Sequence, residues 1–132
     1  LPGQSLLPVA QGKESLPYDR PIFSEYFAAS SVTGMYMLRK GDYKLCYYAF
    51  YPNQLFDLKN DPDENRDLAE DPAYGHVLED LEKELRSIVD PERTSLKARM
   101  DQLDRIDQYG GFRKVLSGGE MFPYSPVPEE FS

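Results

Sequence analysis

The spacing of apolar positions changes its period along the chain. Residues 22–27 (IFSEYF) and 35–40 (MYMLRK) are short runs rich in aromatic and aliphatic side chains, separated by the small, polar AASSVTG. They predict two strands joined by a loop. The sequence continues through Gly41-Asp42, where a two-residue hairpin turn needs positive φ at its first position, into 43–48 (YKLCYY) as the returning strand. Residues 54–58 (QLFDL) form a fourth apolar run. Four short strands in close succession, with no helix between them, leave no room for parallel crossovers and imply an antiparallel meander.

The period then lengthens. Tyr74, Leu78, Leu81, Leu85 and Ile88 recur at helical spacing behind Asp71-Pro72, an N-cap followed by proline at the first helical position. Asp90-Pro91 ends this amphipathic helix and caps a second helical segment, in which Leu96, Met100, Leu103 and Ile106 keep a similar period until Gly110-Gly111 stops it. The prolines at 2, 8, 17 and 21 interrupt both helix and sheet, and from Ser117 onward Gly, Pro and aromatics mix without regular period. The expected fold is α+β: a small antiparallel sheet of about four strands packed against a long amphipathic helix, then a second helical segment and an irregular tail. The chain divides into an irregular lead-in (1–21), a compact α+β unit (22–90) and a helical extension with a Pro/Gly-rich tail (91–132).

Composition agrees with a folded domain. The 132 residues are 40% hydrophobic and include ten Tyr and seven Phe, enough for one core. A net charge of -8 repels phosphate backbones and anionic lipid, so nucleic acid and membrane surfaces are poor partners. Cys46 is the single cysteine, which excludes an internal disulfide and any multi-cysteine metal site. No apolar run approaches the ~20 residues of a membrane span, and the N-terminus lacks a basic region ahead of an apolar one. Compartment stays open. The opening LPGQSLLPVAQG suggests a chain that begins mid-protein, with a further domain before Leu1.

Candidate chemistry concentrates between Asp57 and Asp67, where Asp57, Asp61, Asp63, Glu64 and Asp67 gather. A calcium loop would need oxygen ligands at alternate positions, a glycine at the bend and a distant Glu. Here Asp61 and Asp63 flank Pro62, no glycine follows, and Arg66 intrudes. A structural corner fits better: Asn60 and Asp61 accept backbone N–H bonds, Pro62 starts a short helical turn, and Leu68 returns to the core. His76 has no second imidazole to pair with and is expected as a partly exposed helix residue; Cys46, between aromatics on an inner strand, is expected to pack as a small hydrophobe with a raised pKa. Tyr43, Tyr47, Tyr48 and Tyr51 could stack on a ligand, although most strand tyrosines serve packing. No catalytic residue and no metal ligand is assigned.

One pattern points outward. Met35 and Met37 oppose Tyr36 and Leu38, while Cys46 and Tyr48 oppose Tyr43, Leu45 and Tyr47, so both faces of the sheet are apolar. One helix layer covers one face, and the other asks for a cover from the second helix, the tail or another domain.

Four stretches resemble the C-terminal subdomain of bacterial sulfatases, in the alkaline phosphatase superfamily. They are SLLP (residues 5–8) with Gly12, RPIFSEY (20–26), MLRKGDYKL (37–45) and QLFDLKNDPDENRDLA (54–69). The last is similar to a family pattern of the type LYDLxxDPxExxNLA, carried here by Leu55, Phe56, Asp57, Leu58, Asp61, Pro62 and Leu68. Asp67 stands where the pattern commonly has Asn, a departure that removes one side-chain donor from the turn. The resemblance implies a sulfuric ester hydrolase as parent, using calcium and a formylglycine made from Cys or Ser in CxPxR. Cys46 is followed by Tyr47, Tyr48 and Ala49, so that motif is not here, and the resemblance places it in a catalytic domain before Leu1. This chain alone is then expected to be inactive and to hold no cofactor. Its partner would be its own catalytic domain, which it stabilises, with the pocket rim shaped by Tyr26, Phe27, Ser31 and Thr33 and the tail reaching a second copy. Two other readings stay open: a stand-alone protein-interaction module, and the small domain of a phosphonate or phosphate ester hydrolase.

Overall fold

A computed structural model describes residues 5–27 and 31–117. It divides the chain into two compact units, Leu1–Ser95 and Leu96–Ser132. In the first, a single helical turn α1 (Leu7–Ala10) with proline in its first turn is followed by strands β1 (Ile22–Tyr26), β2 (Met35–Lys40), β3 (Tyr43–Tyr48) and β4 (Gln54–Asp57). The strands form one antiparallel sheet in the order β1-β2-β3-β4, the expected meander. Lys40 pairs with Tyr43 across the β2–β3 turn, where Gly41 takes φ +58°, the left-handed conformation that glycine adopts without a Cβ penalty.

A short 3-10 turn (Pro72–Tyr74) leads into α2 (Gly75–Ile88). Asp71 accepts the Ala73 amide at 3.1 Å, so the predicted cap is made on the 3-10 turn and the α-helix proper begins three residues later than Pro72. Leu81 and Leu85 of α2 pack on the sheet face built by Tyr36, Leu38, Leu45, Tyr47 and Leu55, and Leu68 and Ala49 close the same core. Leu38, Leu45, Leu55 and Leu85 are fully buried. Each removes from water enough apolar surface to contribute about 1.5–3 kcal/mol. Phe27 meets Tyr36 edge-on with ring centroids 5.7 Å apart, and Tyr36 meets Tyr47 likewise at 6.4 Å. Ile88, expected on the buried stripe, is 47% exposed, because the core ends one turn earlier at Leu85.

Helix α3 (Pro91–Gln108) starts where predicted: the Asp90 carboxylate accepts the Arg93 amide at 3.1 Å and its carbonyl accepts the Thr94 amide at 3.0 Å. The second unit comprises the rest of α3 and a short helix, α4 (Gly111–Ser117), which the sequence pattern did not foretell. Gly110 and Gly111 both take positive φ between them. The expected tail contacts fall outside the described residues, as does the middle of the 26–33 loop. No described helix is long and apolar enough to cross a membrane.

Candidate functional site

The acidic corner is built around one strand-end carboxylate. Asp57, buried at the end of β4, accepts the Lys59 and Asn60 amides at 3.1 Å each and the Asn60 side-chain amide at 2.8 Å, while its carbonyl accepts the Asp61 amide at 2.8 Å. The Asn60 side chain, together with these amides, holds the Asp57 carboxyl below the usual range. Asn60 was expected to accept; it donates, because Asp57 supplies the better acceptor three residues earlier. Asp61 does accept, from the Arg66 amide at 2.8 Å. Pro62 enters a tight turn and not a helical one: Glu64 donates its amide to the Asp61 carbonyl and takes φ +55°, which no helix continues.

The far side of the corner returns to β4. The Leu68 amide donates to the Leu55 carbonyl at 2.8 Å, and Asp67 Oδ1 accepts both the Leu55 and Ala69 amides at 3.0 Å. An asparagine Oδ1 would accept the same two bonds, so the departure Asp67 from the family pattern leaves this role intact. Asp57, Asp61 and Asp67 thus spend carboxylate oxygens on the corner's own amides. Among the described residues no three of His, Cys, Asp and Glu come together as metal ligands.

Tyr26, Phe27, Ser31 and Thr33, the residues expected at a pocket rim, lie at the two ends of the loop between β1 and β2. Tyr26 is 55% exposed, whereas Phe27 packs against the core beside Tyr36. Ser31 donates to the Thr33 carbonyl, and Thr33 donates to the Ala49 carbonyl at 2.7 Å. The Gly34 amide donates to Ser95 Oγ at 3.0 Å. A Cβ on Gly34 would sit 2.7 Å from the Phe27 ring and 3.0 Å from the Tyr36 hydroxyl, so only glycine fits.

Next to this loop base lies a polar clamp that sequence reasoning missed. Tyr36 reaches the Pro91 carbonyl at 2.8 Å. Arg86 grips Glu92 with two nitrogens at 2.8 and 3.0 Å, donates to the Tyr47 hydroxyl at 2.7 Å, and stacks 5.4 Å from the Tyr47 ring centroid. The Tyr47 hydroxyl in turn donates to Glu92. Paired with Arg86, the Glu92 carboxyl falls to about 2, while burial pushes both Tyr36 and Tyr47 up to about 12. The available signal was that core-facing tyrosines bring hydroxyls needing partners; its partners are 39 to 55 residues away in sequence.

The remaining candidates are structural in their surroundings. His76 is exposed on α2, at the edge of a shallow groove of about 670 Å³ that also takes in Lys40, Asp80 and Glu84. Lys40 and Glu84 pair at 2.7 Å across it. Tyr43 packs edge-on against Tyr74, Tyr48 bonds Gln54, and Tyr51 is exposed. Cys46 is half-buried, less enclosed than an inner strand suggested, because it faces away from α2; burial still pushes its thiol up.

That second face is the least satisfied part of the sheet. Its members include Ile22, Tyr26, Met35, Met37, Cys46 and Tyr48, by the register of the strand pairs. Ile22 and Tyr26 are more than half exposed, and Met35, Met37 and Tyr48 are only partly covered.

A meander of four strands, one crossing helix and a carboxylate-rich corner define an α+β domain of the sulfatase C-terminal type. Residues 1–90 match the family model described as N-sulphoglucosamine sulphohydrolase, C-terminal, and the chain belongs to that family. It is 38% identical over 96 residues to arylsulfatase K of Danio rerio, covering 68% of this chain and 18% of that protein. It is 41% identical over 70 residues to choline-sulfatase of Rhizobium meliloti (strain 1021), covering 53% and 13%. Among solved structures, a protein of Bacteroides thetaiotaomicron VPI-5482 assigned to the sulfatases superimposes with TM-score 0.58 at 29% identity over 65% of this chain and 19% of the other. A 2-O GAG sulfatase superimposes with TM-score 0.58 at 26% identity over 76% and 21%. The chain thus spans about a fifth or less of the length of these relatives.

Proposed function

We propose that this sulfatase C-terminal domain buttresses the catalytic domain of a sulfuric ester hydrolase, with the second face of its sheet as the surface that domain covers. The observation that carries the reading is the apolar second face, on which Met35, Met37, Cys46 and Tyr48 are only partly covered and Ile22 and Tyr26 are more than half exposed, opposite the face sealed by α2. Support also comes from relatives several times longer, named as sulfatases. Calcium and formylglycine, if the parent uses them, belong to the catalytic domain. No step of hydrolysis is assigned to residues of this chain.

The pocket-rim role extends the same reading. Tyr26 presents its ring outward, while Phe27, Ser31 and Thr33 are turned toward the core or the loop itself. Tyr26 would therefore meet substrate, and the other three would hold its loop in place.

Two measurements test the proposal. The 132-residue chain alone should not hydrolyse an aryl sulfate, with or without added calcium; metal-dependent turnover would sink the reading. In the parent protein Met37→Glu should speed thermal inactivation several-fold while the same change leaves the isolated chain folded. Unchanged inactivation would remove the sheet face from the interface. Assaying the parent on sulfate and phosphonate esters distinguishes the two hydrolase classes.

A further inference from the structure

The β3–β4 turn holds a bulky residue in a costly conformation. Phe50 takes φ +68°, the left-handed region that glycine and asparagine enter far more easily, and its side chain is 62% exposed. Tyr51 beside it is 54% exposed. The turn is nevertheless pinned. The Tyr51 amide donates to the Tyr48 carbonyl at 3.0 Å, the Tyr48 amide to Asn53 Oδ1 at 3.2 Å, and the Ala49 amide to the Gly34 carbonyl at 3.2 Å. Strain and apolar exposure both count against the chain by itself. A pinned turn that keeps both is organised in advance for contact with something else.

Its surroundings specify the contact. The Thr33 hydroxyl bonds the Ala49 carbonyl, so the end of the β1–β2 loop, where Val32 is 73% exposed, adjoins the turn. At the same end of the sheet Met35 pairs with Tyr26 on one side and Tyr48 on the other. Although 29% of the chain is charged, neither 26–38 nor 45–56 contains an Asp, Glu, Lys, Arg or His. The charges crowd the opposite end, with Arg39, Lys40, Asp42 and Lys44 around the β2–β3 turn and the acidic corner after β4. Glu82 of α2, which comes close to the β3–β4 turn, accepts from the Asn53 side chain at 2.6 Å. Aromatic side chains without charges are the composition of an interface core, not of its rim.

We propose that Phe50 and Tyr51, with Tyr26 and Val32, anchor this domain in an uncharged, apolar recess of its parent's catalytic domain. The inference rests on the buttress reading and names where that contact is centred: the sheet end beyond Tyr48, continuous with the outer face at Tyr26 and Met35. Relatives of which this chain spans about a fifth or less have ample chain to supply the recess.

Hydroxyl-radical footprinting of the 132-residue chain and of the parent, without substrate and read by mass spectrometry at each residue, supplies the test. Phe50 and Tyr51 should be oxidised several-fold more slowly in the parent. Met35 and Met37 report the outer face in the same experiment. If the methionines are protected and the two rings are not, the anchor fails while the buttress stands; if neither set is protected, both fail. Protection that needs an added sulfate ester assigns the rings to substrate, and protection of the isolated chain that dilution abolishes assigns them to a second copy; either overturns the proposal. A second measurement uses Phe50→Gly, which relieves the left-handed strain while removing the ring. It should raise the urea midpoint of the 132-residue chain yet speed thermal inactivation of the parent several-fold. A change of the same sign in both proteins would show that the ring acts only within its own domain, and the anchor would be refuted.

Discussion

Gly34 sits where the β1–β2 loop enters β2, and a methyl group there has no space: Phe27 and Tyr36 already occupy it. Gly34→Ala should therefore destabilise the chain by about 1–3 kcal/mol, the usual cost of overpacking, read as a lower urea midpoint with unchanged slope. Asp67 permits a paired test. Asp67→Asn keeps the oxygen that accepts the Leu55 and Ala69 amides and should be near neutral. Asp67→Ala strands the Leu55 amide beside the core and should cost about 1–3 kcal/mol by the same measurement. Cys46 illustrates how residue type misleads: aromatic neighbours in sequence implied enclosure, but period 2 turns its thiol to the uncovered face.

At the scale of elements, α2 is held from both sides of its sequence. Leu85 is fully buried against the sheet, and Leu85→Ala should cost about 2–5 kcal/mol through the cavity it leaves. One turn on, Arg86 ties α2 to the start of α3 through Glu92. Because the Glu92 carboxyl is lowered from 4.5 to about 2 in the folded chain, its contribution is present above pH 4.5 and lost as pH falls toward 2. The pair is partly exposed, so the loss should be about 1 kcal/mol after screening by solvent. Glu92→Gln should flatten that part of the stability–pH curve, measured by chemical denaturation between those limits. Tyr36 and Tyr47 act with the opposite sign: raised to about 12, they stabilise the chain below pH 10 and cease to do so as pH climbs through their folded values. The strands and α2 were legible in sequence because alternation, the Gly41-Asp42 turn and the 3.6 spacing are local signals. The clamp was not, since Tyr36, Tyr47, Arg86 and Glu92 come together only when the chain folds. The corner was half legible: clustered Asp and Asn announced a turn, but which of them accepts depends on the direction in which β4 delivers Asp57. Helix α4 gave no signal, being seven residues after two glycines.

At the scale of the whole molecule, the described residues leave the outer face of the sheet partly open. The sheet's outer face should bind a hydrophobic dye in the native state, and the double change Met35→Lys, Met37→Lys should reduce that fluorescence severalfold without loss of helical signal. Equal fluorescence in both proteins would show that this face is not the exposed apolar surface. The way the acidic corner folds back has a consequence of its own. Leu55 spends its amide on Asp67 and its carbonyl on Leu68, and the Asp57 carbonyl goes to Asp61, so the free margin of β4 is stoppered by the chain itself. Any neighbour that lengthens this sheet must dock beside Ile22–Tyr26, which makes growth of the sheet one-directional and limits it to the margin adjoining Tyr26.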